Sequence, residues 1–134
     1  MNRINRAVLT TAAGAGLLIA AGPASAATAA TAHRVASCTA EGDYAICDAA
    51  GNATAPRDIY VHVTSSPDQS ALVTWDVVCS KGDGAGSASG QFTATTPVRR
   101  IIRHPYTRPD SCTVAAGAQL NRRGHLKVWI SYRR

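Results

Sequence analysis

In "SALVTWDVVC", from Ser70 to Cys79, the residues Val73, Trp75, Val77 and Cys79 fall on every second position. A period of two puts them on one face of a β-strand and Thr74, Asp76 and Val78 on the other. The apolar face ends on a cysteine, so this strand belongs where a thiol is covered and paired. The same alternation recurs in "RDIYVHVTS", where Ile59, Val61 and Val63 oppose Tyr60, His62 and Thr64. It recurs again in "HLKVWISYRR", where Leu126, Val128, Ile130 and Tyr132 oppose Lys127, Trp129, Ser131 and Arg133. Shorter strands are expected in "RVASC", in "DYAIC" after the Glu41-Gly42-Asp43 turn, in "QFTATTPV" and in "CTVAAGAQL". "SSPDQS" and "NRRG" read as turns. The glycine-rich "SKGDGAGSASG" lacks the phosphate-loop arrangement and reads as a flexible turn. Short strands at regular turn spacing, without a helical stripe, predict an all-β fold. A small antiparallel β-sandwich is expected, with a small β-barrel as the alternative.

The N-terminus carries an export signature. Arg3 and Arg6 precede the apolar "AVLTTAAGAGLLIAA", and "ASA" at residues 24–26 fits a signal peptidase site. The expectation is a signal peptide over 1–26, a flexible tail over 27–33 and a single β domain over 34–134, secreted from a bacterial cell. The apolar run is short and unrepeated, so no membrane span is expected. About a hundred mature residues bury only a modest core. Export lets Cys38, Cys47, Cys79 and Cys112 oxidise and compensate. Of the three pairings, Cys38–Cys47 and Cys79–Cys112 are favoured. The second would fix a mid-chain strand to a late one across the core. A cysteine and a tryptophan inside a sandwich resemble immunoglobulin-like domains in general architecture, although the Cys…Trp…Cys order and spacing differ. Without a C-x-x-C pair, no metal site is expected from these thiols.

Charge is unevenly distributed along a chain of formal charge +6. Residues 27–97 hold three basic and seven acidic side chains, whereas 98–134 hold nine basic and one acidic. "PVRRIIRHPYTRPDSC" concentrates this bias in a segment that runs into Cys112. Arg99, Arg100, Arg103 and Arg108 suit carboxylate, phosphate or sulfate groups, and His104 and Tyr106 add aromatic surface beside them. Trp129, read as outward between Lys127 and Ser131, is the other candidate contact. The anticipated partner is an extracellular protein or an acidic envelope polymer.

Catalytic signatures are missing from the sequence. His33, His62, His104 and His125 form no H-E-x-x-H or other close ligand set, and no G-x-S-x-G occurs. No cofactor is implied. A recognition helix and an aromatic-plus-basic sheet signature are equally lacking, so nucleic acid is not the favoured partner. These readings favour an exported, non-enzymatic binding module. One alternative is a serine proteinase inhibitor with Arg103 or Arg108 as bait, Arg103 being preferred because Pro109 follows Arg108. Another is a small secreted nuclease or toxin that pairs His104 with His125 near arginine.

Overall fold

A computed structural model describes residues 32–134; the leader and residues 27–31 of the expected tail lie outside the described residues. Eight strands follow one another: β1 (His33–Gly42), β2 (Ile46–Thr54), β3 (Asp58–Ser66), β4 (Ser70–Lys81), β5 (Gly84–Thr95), β6 (Val98–Ile102), β7 (Ser111–Leu120) and β8 (Gly124–Arg133). They form two antiparallel four-stranded sheets, β1-β8-β3-β6 and β2-β7-β4-β5. The chain pairs as one long hairpin, β4 with β5, β3 with β6, β2 with β7 and β1 with β8. Successive pairs fall alternately into the two sheets, which rolls the hairpin into a jelly roll of two stacked Greek keys. The sandwich expectation holds. The likeness to immunoglobulin-like domains stops at that level, because here β1 pairs with β8 rather than with β2. The barrel does not form, since the sheets remain separately hydrogen-bonded.

Alternation sets the core. Ile59, Val61, Val63, Val73, Val77, Val114, Val128 and Ile130 are fully buried between the sheets. Their partners on β2 and β7 are small: Ala49, Ala53, Ala116 and Ala118. Branched side chains of both sheets meet these alanines between the layers and form one hydrophobic cluster with them. Trp75 and Phe92 close the periphery as partly buried neighbours of this core.

Both favoured disulfides are present. Their placement corrects one expectation. Cys79 sits directly opposite Cys112 in the β4–β7 register, so this bond lies within one sheet and does not cross the core. Inward parity is satisfied by both sulfurs side by side. Cys38–Cys47 is the bond that joins the two sheets, from β1 to β2.

Three further boundaries differ from the sequence reading. His33, assigned to the tail, opens β1 and stacks on Tyr132 at 5.0 Å. The strand expected to end at Cys47 instead begins at Ile46 and continues through Thr54. The glycine-rich stretch is no flexible turn. Only Gly82 and Asp83 turn, and from Gly84 onward the segment pairs residue for residue with β4. Low β-propensity yields there to a long ladder with an established core strand. Gly82, at φ 58°, adopts the left-handed conformation that a tight turn needs and that glycine accepts without penalty.

Candidate functional site

The outward row of β8 contains Lys127, Trp129, Ser131 and Arg133, as the alternation requires. Register then decides what surrounds it. Trp129 lies opposite Ser37 on β1 and His62 on β3; Ser131 lies opposite Arg34 and Tyr60. The edge strand β6 adds Arg99 beside His62 and Ile101 beside Tyr60. Residues from the first, third, sixth and last strands thereby share one sheet face.

Its centre is aromatic. The His62 imidazole stacks on the Trp129 indole with centroids 4.6 Å apart and planes 8° from parallel. A hydrogen bond of 2.8 Å between His62 Nε2 and Ser131 Oγ fixes that ring. The Arg34 guanidinium and the Lys127 ammonium each lie 5.3 Å from the indole centroid. Tyr60 is flanked in the same way, with Arg99 at 5.1 Å and Arg133 at 5.6 Å. These are cation–π contacts, each worth about 0.5–1 kcal/mol on an exposed surface. They hold the charged ends over flat rings, with Arg34 and Arg99 exposed to solvent and Lys127 and Arg133 partly buried.

Charge on this face is incompletely neutralised. Arg133 is paired with Asp58 at 2.7 Å, and Glu41 meets His125 at 3.4 Å. Arg34, Arg99 and Lys127 join no ion pair among the described residues. Burial, followed by repulsion from Arg99 and Arg34, pushes the His62 pKa below its ordinary value. Burial and the neighbouring arginines both favour the neutral imidazole.

Such a surface suits adsorption and recognition. Rings offer flat apolar area, while guanidinium groups offer paired donors to oxyanions. The His62–Ser131 contact resembles half of a hydrolytic pair, but Ser131 is buried and, among the described residues, no hydrogen bond places a carboxylate on the imidazole. Among the described residues, no group of three His, Cys, Asp or Glu side chains is placed to hold a metal ion.

The arginine segment does not act as a unit. Val98–Ile102 is strand β6, so Arg99 and Arg100 point to opposite sides. Arg99 reaches the aromatic face, whereas Arg100 covers the Phe92 ring at 3.8 Å and closes the gap between the β5 and β6 edges. Arg103 is exposed beyond the end of β6. His104 is held by structure: Nδ1 lies 2.6 Å from the Tyr106 carbonyl and Nε2 lies 2.9 Å from that of Arg57. Tyr106 packs over the β5 glycines, where a Cβ at Gly84 would meet its hydroxyl at 3.1 Å. Arg108 belongs to a separate depression at that end of the sandwich. Of the seven expected contact residues, therefore, Arg99 and Trp129 share the aromatic face.

His104 and His125 are likewise apart. His104 bonds to Arg57, whose amide bonds to Arg133 at one end of β8, while His125 lies at the other end. At ~3.3 Å per strand residue this separates them by roughly 26 Å. They form no common cleft.

Arg34, Tyr60, His62, Lys127 and Arg133 complete the face but were not singled out by the sequence. Alternation had already put Tyr60, His62, Lys127 and Arg133 on outward rows. The pairing of β3 with β8, which merges the rows, leaves no local signal. The opposite outer face differs in kind. Asp48 and Asp76 flank a shallow depression of about 520 Å³ on the β2-β7-β4-β5 sheet. Ile46, Leu72 and Val78 are exposed around it. Lys81, at the end of β4, is the sole Lys or Arg in the strands of that sheet.

No family model matches the chain, and no curated protein matches it. Solved structures similar to it include the following two. The crystal structure of PirA is 12% identical, with 74% of this chain and 92% of that chain covered, at a TM-score of 0.38. The structure of TmCBM61 in complex with β-1,4-galactotriose is 12% identical, with 74% of this chain and 70% of that chain covered, at a TM-score of 0.34. The fold assignment rests on strand pairing within this chain.

Proposed function

We propose that this chain is an exported, non-enzymatic binding module that holds an acidic extracellular polymer on the outer face of β1-β8-β3-β6. One observation carries the reading: the Trp129–His62 stack is bordered by Arg34, Arg99 and Lys127, none of them in an ion pair among the described residues. Aromatic area with unspent cations favours a ligand that has both flat surface and anionic groups, as an acidic polysaccharide of the cell envelope does. Two disulfides in a small β domain are compatible with life outside the cell. The polymer would lie along the strands, with its acidic groups on Arg34, Arg99 and Lys127 and its sugar bodies against the edges of Trp129 and Tyr60. A specific acidic protein is the competing partner.

The reading is tested by titrating the protein with polygalacturonate, heparin and neutral dextran at low and high salt. Binding of an acidic polymer that weakens steeply with salt, and little or no binding of dextran, is the expected result. Equal affinity for dextran would contradict it. Capture from extracellular material followed by salt washes separates a polymer from an acidic protein partner. A stoichiometric trypsin-family titration addresses the inhibitor alternative, which Arg103 keeps open by its exposure beyond β6.

A further inference from the structure

The depression that contains Arg108 is a second basic feature, distinct from the aromatic face. It has a volume of about 530 Å³ and forms where the β2–β3 connection, the β6–β7 connection and the residue after β8 meet. Arg57, Arg108 and Arg134 line it, one from each of these segments. Their convergence is a product of the fold, because they are far apart in sequence. No acidic side chain lines the depression, and none of the three arginines is ion-paired among the described residues.

Its walls are tied at several points. The Ala55 amide donates to the Asp110 carbonyl at 2.8 Å, and the Arg57 amide donates to the Arg133 carbonyl at 2.6 Å. The nearby carboxylate of Asp110 is already engaged, accepting from the Gly82 amide at 2.7 Å. His104 bridges the carbonyls of Arg57 and Tyr106, and Pro56 and Pro109 are buried. Ala55 is held at φ 49°, a backbone conformation that alanine seldom adopts and that here turns the chain into the wall. Strain of this kind persists only where surrounding contacts overdetermine it. Rigid walls reduce the ordering that a ligand would otherwise impose.

We infer that this end depression is an oxyanion site, in which Arg57, Arg108 and Arg134 receive a phosphate or sulfate group carried on a sugar-sized body. Guanidinium forks match the oxygens of these anions in paired hydrogen bonds. The volume exceeds what a bare anion fills and falls within the range of small-molecule pockets, about 300–1,000 Å³. The inference is independent of the aromatic face and stands whether or not a polymer binds there.

The test is an amide-resolved NMR titration of the intact domain with inorganic phosphate, glucose 6-phosphate and glucose. Saturable shifts at Ala55, Arg57, Thr107 and Arg108 with glucose 6-phosphate are expected, with no response to glucose. Saturation by inorganic phosphate at equal affinity would identify the free anion as a sufficient ligand; tighter binding of the ester would identify a carried group. Arg57→Gln with Arg108→Gln should weaken binding at least tenfold with an unchanged thermal midpoint, since both side chains are exposed. Thr107→Glu, which adds a carboxylate to the rim, should weaken it as well. The inference is overturned by shifts that do not saturate, by shifts confined to Arg34, Arg99 and Trp129, by an equal response to glucose, or by undiminished binding in the double variant. Trp129→Ala, which removes the centre of the aromatic face, should leave this titration unchanged, so failure of one site is distinguishable from failure of the other.

Discussion

Trp129 is half-buried although it lies on an outward row, because His62 on the neighbouring strand stacks against it. Truncation to alanine removes little from the core between the sheets, so its cost should fall on binding. At the scale of an interface hot spot, Trp129→Ala should lose about 2 kcal/mol, roughly thirtyfold in Kd. Calorimetric titration with the acidic polymer measures this, and a Kd within twofold of the parent would remove Trp129 from the contact. His62 makes a second residue-level prediction. Its folded-state pKa is lowered, by burial first and then by Arg99 and Arg34. The native state therefore resists a proton that the unfolded chain accepts. Stability from neutral His62 is complete above the ordinary histidine pKa of about 6.5 and declines as pH falls below it. His62→Gln should flatten that acid-side decline, as read from thermal midpoints across the range. An anionic ligand would offset the repulsion from the arginines and raise the His62 pKa. Binding should then take up protons and strengthen as pH falls below the ordinary histidine range, where the lowered His62 pKa lies; calorimetry in buffers of different ionisation enthalpy detects this.

At the scale of elements, Gln69 holds the end opposite the arginine depression. Its side chain accepts from the Arg122 amide at 2.7 Å and donates to the Arg123 carbonyl at 3.1 Å, joining the β3–β4 connection to the β7–β8 connection. Its backbone bonds Thr96 before β6. Gln69→Ala should cost about 1–3 kcal/mol in chemical denaturation, because it leaves a donor and an acceptor unpaired. Removing Cys79–Cys112 with paired alanines should cost about 2–4 kcal/mol. Because Arg99 is on β6, polymer binding should persist wherever that variant remains folded. Loss of face binding in the folded variant would instead link the disulfide to the site. The strands themselves were legible where alternation is local: the inward rows of β3, β4 and β8 follow directly from sequence. β5 was not, since its glycines and serines carry no strand preference and gain their conformation from β4. The arginine segment misled for a related reason. Pro105 and Pro109 mark the connector after β6, while the edge strand before them obeys the period of two and sends Arg99 and Arg100 apart. Gln69, an isolated polar residue in a turn, had no pattern to reveal it.

Across the whole molecule, the charge bias has a spatial form that linear order conceals. Arg34 from the acidic part of the sequence joins Arg99, Lys127 and Arg133 on one sheet, while the other sheet presents Asp48, Asp76 and exposed aliphatic residues. Folding turns a bias along the chain into a difference between faces. An anionic ligand should consequently be oriented by the field before contact, with association slowed as salt rises. Stopped-flow association at graded ionic strength should show that dependence for the parent. It should be reduced when Arg34 and Arg99 are both replaced by glutamine. The most direct measurement is an amide-resolved NMR titration with a short acidic oligosaccharide, read over all eight strands at once. The account predicts saturable shifts centred on Tyr60, His62, Arg99 and Trp129, with the outward rows of β2, β7, β4 and β5 unmoved. Shifts centred on Asp48, Thr74 and Asp76, with Trp129 and His62 silent, would contradict it.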